Sequence, residues 1–435
     1  MKITAVTAIP VKVDRKLAYG LAGRTALGVD PVSEHAIIRI DTDAGVTGWG
    51  EMLKDDAKAC AAGALEVGNY LIGQDPCRVA FHWQAIHRGA FYRGGPIKTA
   101  ISSGIDQALW DIKGKLANLP LYQLLGGKVR PAAALYRHAD GLDPQEVLDN
   151  VLRLQAEGYQ YIRCQMGGYG GIGKEAPQPG SYNNVAVYGG SGRRRPGHTQ
   201  PGDYFDPDLY ARSIPALFDF IRSKIGFSTQ LLHDVHERLA PIDAVRLAKA
   251  LEPYRLFFLE DPLAPEDQEW FKMIRQHATT PIAMGELFTH PLEWKSLIVN
   301  QLIDFIRVHL SDIGGITPAR KLATLCEAFG VRTAFHGPGD VSPVGHAANL
   351  HLDVVVPNFG IQEFSGFDAA LEEVFPGCPQ VHDGFLYPNE APGLGIDIDE
   401  SLAARYPLHP NLLQFQNGVV DWTQSRLPDG TLWRP

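Results

Sequence analysis

Short apolar segments alternate with amphipathic helical patterns through the greater part of this chain. A short run rich in branched and aromatic side chains predicts a strand, and a helical pattern between two such runs predicts that the strands lie parallel. Eight segments between residues 129 and 384 fit, each but the second separated from the next by about one helix: AAALYRHA, YQYIRCQM, TQLLHDV, RLFFLED, PIAMGE, DFIRVHLS, VRTAFHG and FGIQEF. Eight such units favour a closed (β/α)8 barrel of the TIM type over an open sheet.

The first 128 residues follow a different pattern. The segments KITAVTAIPVKV and EHAIIRIDTDAGVTGWGE alternate like strands, and ISSGIDQALWDIKGKLANLPLYQLLGG repeats apolar residues every three or four positions, with a break at Pro120. The Gly-rich stretch 17–32 between the strands is either a plain connection or a mobile flap. We therefore expect an α/β protein with an N-terminal α+β capping domain (1–128), a barrel (129–384) and a C-terminal tail (385–435) that packs on the capping domain.

A long insertion separates the second and third predicted strands of the barrel. It runs for 37 residues from Gly167 to Asp203 and contains little helical or strand pattern. A loop of that length in a compact domain is usually functional or disordered, and this one follows the C-terminal end of a strand, where it could act as a lid. Its basic run Arg193–Arg195 either holds an anionic substrate or a partner subunit, or is a solvated charge cluster.

Composition narrows the class of protein. The chain has 435 residues, 45% apolar content and a net charge of −9, which is ordinary for a soluble protein and gives no sign of nucleic-acid binding. Five cysteines without a CxxC motif fit a reducing compartment. No apolar window is long enough to span a membrane, and the N-terminus alternates like a strand instead of forming a signal peptide. These features predict a cytoplasmic enzyme.

Three carboxylates stand out by their spacing. Asp234, Glu260 and Glu286 are 26 residues apart each time, and each closes one of the apolar runs. Equal spacing places them at the same height, at the C-terminal ends of neighbouring strands, where barrels carry their active sites. Like charges in a cleft raise one another's pKa unless a cation intervenes, and oxygen-only ligands favour Mg²⁺ or Mn²⁺ over Zn²⁺. The alternative is that each acid caps a helix or pairs with a basic residue.

Further polar residues fall at the same predicted strand ends. They are His138, Arg163, Gln165, His236, His336, Asp340 and Glu363. A divalent ion facing histidines suits removal of a proton beside a substrate carboxylate, because the metal's charge stabilises the resulting enediolate. We expect His236 or His336 to be catalytic. His236 could serve as the acid that helps a hydroxyl leave, since an imidazolium titrates near neutral pH.

Several motifs resemble the enolase superfamily, whose members use a Lys or His base with Mg²⁺. These are HDVH, LEDP and GE on successive strands, with ALWDIKGK before them and IGGIT after them. Within that superfamily, LYQLLGG, EPYRLFFLEDP, VRTAFHGPGDVSPV and PNFGIQEF resemble the mannonate dehydratase family, in particular the branch acting on D-mannonate or D-gluconate. The resemblance implies Mg²⁺-dependent loss of water from a sugar acid to give a 2-keto-3-deoxy product, and a homo-oligomer.

The resemblance also implies residue roles. Asp234, Glu260 and Glu286 would bind the metal, His236 would assist loss of the 3-hydroxyl, and Arg163 would belong to the proton-abstracting pair. His138, Gln165, His336, Asp340 and Glu363 would line the sugar-acid site. The family's base is a Tyr in a TYG context, which this chain lacks; Tyr169 and Tyr188 are candidates, and we favour Tyr169 because it is nearer to Arg163.

Two other functions stay open at this point. An acid-sugar epimerase or racemase would use the same enediolate, although Arg-Cys-Gln replaces the Lys-x-Lys of many superfamily epimerases. A catalytically weak sugar-acid-binding protein is the second alternative, because the Tyr context is altered and Pro338 resembles members with sluggish activity toward mannonate. His336 also lacks an Asp at the end of the neighbouring strand, where His309 or Ser311 stands.

Overall fold

The computed structural model describes residues 1–14, 32–53, 57–89, 91–167, 203–406, 425–427 and 431–433. Its strands are β1 Ile3–Asp14, β2 Val32–Thr42, β3 Thr47–Met52, β4 Ala133–Gly141, β5 Tyr161–Met166, β6 Asp203–Tyr204, β7 Gln230–Asp234, β8 Phe258–Glu260, β9 Ile282–Met284, β10 Phe305–Ile306, β11 Arg332–Thr333, β12 Gln362–Glu363, β13 Gln380–His382, β14 Phe385–Tyr387 and β15 Ser425–Arg426. Its helices are α1 Ala57–Leu71, α2 Val79–Arg88, α3 Pro96–Ala117, α4 Leu121–Leu124, α5 Pro144–Ala156, α6 Pro207–Ile225, α7 Pro241–Leu251, α8 Phe271–His277, α9 Pro291–Val299, α10 Ile316–Ala328, α11 Pro343–Asp353, α12 Ala369–Val374 and α13 Glu400–Ala403. None of these helices is long and apolar enough to cross a membrane.

The N-terminal domain is an antiparallel sheet covered by helices. Strands β1, β2 and β3 pair in chain order, and α3 lies directly against β3. This close approach explains the glycines of TGWG, because a Cβ on Gly50 would lie 2.0 Å from the main-chain oxygen of Gly104 in α3. The predicted α+β capping domain is thereby confirmed as the fold of this part of the chain.

Eight parallel strands form the barrel. Strands β4, β5, β7, β8, β9, β10 and β11 pair in this order. Strand β12 pairs with β4, and Phe359, just before β12, forms a parallel bridge with Thr333 in β11, so that pairing continues around the ring. Each of the eight segments predicted from the sequence overlaps one of these strands, and the TIM-type barrel is confirmed.

Side chains fill the interior of the barrel. One inward-facing cluster takes a buried residue from each of seven strand segments: Tyr136, Leu232, Phe258, Ala283, Phe305, Ala334 and Ile361. The larger apolar core lies outside the ring, between the strands and the helices. Because the interior is packed, a ligand must approach the barrel from one end, and the polar residues lie at the C-terminal end of the strands.

Several barrel helices begin with the same local device, a capping side chain followed by proline. Asp143, Asp206 and Ser342 each accept hydrogen bonds from main-chain N–H groups of the first turn, before α5, α6 and α11 respectively. Proline at the first helical position has no N–H to leave unsatisfied, and its φ already suits a helix. These sequence signals set where the connections end and thus how the loops at the mouth are anchored.

The C-terminal part of the chain touches both domains. Strands β13 and β14 form a hairpin that pairs antiparallel with the start of β4. The chain then reaches the capping domain, where the Trp49 indole donates to Asp397 (Nε1–Oδ1 2.7 Å). Residues 425–427 and 431–433, by contrast, lie against the barrel, where β15 pairs with β6 and Trp433 donates to the main-chain oxygen of Arg238. In the described part of the tail, Asp397 thus contacts the capping domain, whereas the last described residues contact the barrel.

Asp111 in α3 is the junction of the capping domain. Its fully buried carboxylate accepts hydrogen bonds from the main-chain N–H groups of Trp49 in β3 (3.0 Å) and Leu394 in the C-terminal segment (2.8 Å). Lys115, one turn later in α3, forms an ion pair with it at 2.7 Å. One side chain thus holds the sheet, the helix and the returning tail together.

We expect Asp111→Ala to lower the free energy of unfolding by about 3–5 kcal/mol, because it leaves buried donors and a cation without their acceptor. Urea unfolding followed by circular dichroism measures this change. The matched control is Asp149→Ala on the exposed face of α5, which should stay within about 0.5 kcal/mol of the wild type. A loss below about 1 kcal/mol for Asp111→Ala would contradict this role.

Candidate active site

Three carboxylates meet at the C-terminal end of neighbouring strands. Asp234 is the last residue of β7 and Glu260 the last of β8, and the two are direct partners in the parallel ladder. Glu286 follows two residues after the end of β9, which is the next strand around the ring. Asp234 and Glu260 are fully buried, and Glu286 is nearly so. The geometry thus brings together the three residues predicted to bind a metal.

The backbone beside these carboxylates is strained. His236, Glu237 and Asp261 all have positive φ (56°, 64° and 37°), which is uncommon for residues other than glycine. The first turn is held by the Asp234 carboxylate, which accepts from the His236 N–H at 2.8 Å, and by the Glu237 N–H, which donates to the main-chain oxygen of Asp261. Such conformations persist where surrounding contacts enforce them, and they are concentrated at functional sites.

Arg307 is the central cation of this cluster. It follows β10, is fully buried, and its Nη2 lies 2.6 Å from Glu260 Oε1, 2.7 Å from Glu363 Oε2 and 3.3 Å from Glu286 Oε2. Burial opposes its charge, but the carboxylates of Glu260 and Glu363 raise its pKa well above the ordinary value. One guanidinium therefore offsets negative charge from three strands. Our reading of the sequence missed this residue, although a basic residue within the apolar run DFIRVHL was the available signal.

A second group joins β4, β5 and β12. His138 Nε2 lies 2.7 Å from Glu363 Oε1, and Arg163 contacts both His138 Nδ1 (Nη2, 3.2 Å) and Asp234 Oδ2 (Nη1, 3.1 Å). Because Arg163 can only donate, Nδ1 of His138 accepts, and Nε2–H donates to Glu363. Burial and the Arg163 charge lower the pKa of His138 to about 4, which keeps it neutral. Burial raises the pKa of Glu363, but Arg307 and His138 bring it well below its usual range.

His336 lies three residues after the end of β11 and contacts Glu286. Its Nδ1 is 3.2 Å from Glu286 Oε2, and its Nε2 is 3.3 Å from Asp340 Oδ2. Burial lowers the pKa of His336, but Asp340 and Glu286 raise it well above the ordinary value, which favours the imidazolium. The Asp that the neighbouring strand lacks is thus supplied by the loop that follows His336 itself, while the centroid of the tilted His309 ring lies 4.8 Å from that of the His336 ring.

The two remaining predicted residues lie beside Asp234. His236 Nε2 is 3.5 Å from Glu286 Oε1, and burial lowers its pKa, although the Asp234 and Glu286 charges oppose that effect. Gln165 is buried and donates from Nε2 to the main-chain oxygen of Asp234 at 3.0 Å, so that it fixes the end of β7. Tyr169, Tyr188 and Arg193–Arg195 lie outside the described residues.

The donor set fits a hard divalent cation. Within the described ranges, carboxylate oxygens of Glu260, Asp261 and Glu286 lie within 4.8 Å of one another. Burial raises the pKa of the Asp234, Glu260 and Asp261 carboxyls, and among the described residues Oδ2 of Asp261 accepts no hydrogen bond. A cation would favour the ionised forms of these acids, and all-oxygen coordination suits Mg²⁺.

Two further residues of the cluster were not predicted. Asp261 is held by the Gly285 N–H, which donates to its Oδ1 at 3.1 Å. Tyr136 points into the barrel from β4 and its hydroxyl donates to Glu260 Oε2 at 3.3 Å. Tyr136 lies two positions before His138 on the same strand, so the two side chains point to the same face of the sheet. This spacing was the signal that could have identified Tyr136.

Two protein-family models match the greater part of the chain. Residues 8–126 match the model described as mandelate racemase / muconate lactonizing enzyme, N-terminal domain, and residues 202–402 match the model described as enolase C-terminal domain-like. These two ranges correspond to the capping domain and to the larger part of the barrel.

Individual relatives cover most of the chain as well. A protein from Pantoea ananatis named D-galactonate dehydratase family member RspA is 56% identical over 84% of this chain and 86% of its own length. A D-mannonate dehydratase from Rhizorhabdus wittichii is 41% identical over 95% of this chain and 99% of its own. A crystal structure of an enolase from Pantoea ananatis with bound D-gluconate and Mg superposes with a TM-score of 0.87, 49% identity and full coverage of both chains.

We expect Arg307→Met to lower the free energy of unfolding, measured in the presence of a chelator, by about 3–5 kcal/mol. The change leaves the buried carboxylates of Glu260, Glu286 and Glu363 without their shared cation. Arg275→Met is the control, because Arg275 pairs with Asp304 near the surface and should contribute no more than about 1 kcal/mol. Equal losses in the two variants would contradict the central role of Arg307.

Proposed function

Because the chain belongs to the enolase superfamily, we propose that it is a Mg²⁺-dependent dehydratase of a six-carbon sugar acid. It matches the mandelate racemase / muconate lactonizing enzyme model, and its relatives include members of the D-galactonate dehydratase family and a D-mannonate dehydratase. D-gluconate and D-mannonate are the proposed substrates, and a 2-keto-3-deoxy sugar acid is the proposed product. The observation that carries the proposal is the convergence of Asp234, Glu260 and Glu286 at the mouth of the barrel, in contact with two histidines and two arginines.

Asp234, Glu260 and Glu286 would hold the metal. Mg²⁺ bound there would supply positive charge next to the substrate carboxylate and make the proton on the adjacent carbon easier to remove. The relatives support this assignment, since the enolase from Pantoea ananatis was crystallised with Mg and D-gluconate. Asp261, next to Glu260, would add negative charge behind the ligands.

The chain's own residues divide the remaining work. Arg163 lies between Asp234 and His138, where its charge would favour the ionised form of a neighbouring base, and Tyr169 is our candidate for that base. His236 lies beside Glu286 and would give a proton to the leaving 3-hydroxyl. Proton removal and proton donation would then come from different strands, which suits an elimination.

His336, Asp340, His138 and Glu363 would bind and orient the sugar acid. His336 carries a positive charge between Glu286 and Asp340, and neutral His138 is fixed by Arg163 and Glu363. A polyhydroxy acid needs both charged and neutral hydrogen-bonding partners, and rigid partners lose less entropy on binding. Gln165 would act through the main chain of Asp234.

The proposal is tested by incubating the purified protein and Mg²⁺ with a library of acid sugars and assaying keto acids. We expect turnover of at least one six-carbon aldonate, and a loss of about 10²–10⁴-fold in His236→Asn, because the leaving hydroxyl loses its proton donor. His277→Asn, an exposed histidine at the end of α8, is the control and should keep full activity.

Three outcomes would contradict the proposal. Absence of turnover across the library despite sugar-acid binding would indicate a binding protein. Exchange of the substrate's carbon-bound hydrogen with solvent without loss of water would indicate an epimerase or racemase. Full activity in His236→Asn would remove that residue from the mechanism.

A further inference from the structure

Glu51 is a buried carboxyl in the capping domain that the proposed chemistry does not use. It lies near the end of β3 and is 1% exposed. Its Oε1 accepts a hydrogen bond from the Ser311 hydroxyl at 2.7 Å, and its Oε2 accepts from the main-chain N–H of Ser342. Both donors belong to the barrel, so this one side chain joins the two domains.

A second residue of the capping domain reinforces the contact. Gln107 in α3 accepts from the Glu51 N–H at 3.0 Å and donates from Nε2 to the Ser311 hydroxyl at 3.2 Å. Glu51 and Gln107 therefore converge on Ser311 from a strand and a helix. The space is tight, since a Cβ on Gly345 would lie 2.3 Å from Glu51 Oε1. The carboxyl has little room to take another orientation.

The two barrel residues that Glu51 holds flank the active site. Ser342 ends the loop that begins at His336 and includes Asp340, and it caps α11. Ser311 follows His309, whose Nδ1 accepts from the Ser311 N–H at 3.1 Å and whose ring is in tilted contact with the His336 ring, at 4.8 Å between centroids. A displacement of either serine would thus be passed to the His336–Asp340 pair through the main chain or through His309.

Retaining an acid here is costly for folding. Burial raises the pKa of Glu51 to about 7, although the Ser342 and Ser311 contacts oppose this, and the nearby Asp340 charge raises it further. The described residues place no cation against Glu51, and a buried ionisable group in such surroundings costs more than an apolar residue of the same size would. Residues that carry such a cost are commonly kept for function, which agrees with the geometry.

We propose that Glu51 is a positioning residue that fixes the His336–Asp340 loop from the capping domain. The inference rests on the proposed dehydratase function, because it gives that loop its task of binding the sugar acid. The carboxyl ties the ends of two barrel loops to the three-stranded sheet, and His336 and Asp340 are thereby kept at the distance seen here. Displacement of such groups by about 1 Å can cost a factor of about 10² in rate.

Hydrogen exchange tests the positioning role without any need for turnover. We expect Glu51→Ala to speed amide exchange in peptides covering residues 337–345, because the Ser342 N–H loses its acceptor, while α5 exchanges as in the wild type. Glu51→Gln keeps the shape and one acceptor oxygen, and its exchange rate in residues 337–345 should lie between those of Glu51→Ala and the wild type. If Glu51→Ala does not fold, the comparison of Glu51→Gln with the wild type decides. Unchanged exchange in 337–345 would overturn the proposal.

Kinetics on the folded variants test the link to the active site. We expect kcat to fall at least about tenfold in Glu51→Ala, with a smaller change in KM and partial recovery in Glu51→Gln. Ser311→Ala should lower kcat as well, and the double variant should lose less than the product of the two single losses, because both remove the same contact. A loss of kcat in the double variant equal to the product of the two single losses would overturn the shared role of Glu51 and Ser311.

Asp106→Asn is the matched control. Asp106 is a buried acid in α3 whose carboxylate accepts from the Thr317 N–H at 2.8 Å, so that it contacts the first turn of α10 instead of the His336 loop. Asp106→Asn should keep kcat within about twofold of the wild-type value, and its amide exchange in residues 337–345 should be unchanged. Equal effects in Asp106→Asn and Glu51→Ala would show general loosening of the domains and overturn the proposal. A wild type without turnover would contradict the proposed function alone, since the exchange result stands by itself.

Discussion

The mutual repulsion of buried carboxylates is the constraint on which this structure depends. Asp234, Glu260, Asp261, Glu286 and Glu363 lie together at the mouth of the barrel, where low polarity strengthens every charge interaction. Their charges are partly offset by Arg307, Arg163 and the His336 imidazolium. Burial still raises the pKa of Asp234, Glu260 and Asp261, so the cluster favours a further cation. The strained turn is held at His236 by the Asp234 carboxylate and at Glu237 by the main-chain oxygen of Asp261, so two residues of the cluster also fix the local backbone.

The capping domain is joined to this cluster by buried polar contacts and not only by apolar packing. Asp111 ties β3, α3 and the segment near Leu394 together, and Asp106 caps α10 of the barrel. Glu51 and Gln107 reach the loops that carry His309, His336 and Asp340. Because a buried hydrogen bond with one partner removed costs more than its formation contributes, such contacts specify one relative placement of the domains. A sugar acid bound at the mouth would meet residues whose positions depend on both domains.

The repeated βα units could be predicted from the sequence, whereas contacts between residues far apart in the sequence could not. Eight strands, and acids at three successive strand ends, follow from apolar periodicity and a 26-residue spacing, because each βα unit is nearly a local structure. Arg307 was missed since its partner Glu363 is 56 residues away, and the Glu51–Ser342 contact joins residues 291 positions apart. Packing of residues 425–427 and 431–433 on the barrel was likewise missed, because pairing of the two-residue strands β6 and β15 leaves no periodic signal. Asp340, the partner of His336, lies only four residues away in the sequence. The pairing depends on how the loop turns, which the sequence pattern does not show.

Calorimetric titration of the metal-free protein with Mg²⁺ or Mn²⁺ tests the central claim most directly. If buried carboxylates converge on one cation, the wild type should take up one ion per chain, and Glu260→Gln should bind it at least about tenfold more weakly because a charged oxygen donor is replaced by a neutral amide. Arg246→Gln, which alters an exposed charge on α7, should bind as the wild type does. Absence of uptake by the wild type, or equal affinity in Glu260→Gln, would contradict the account.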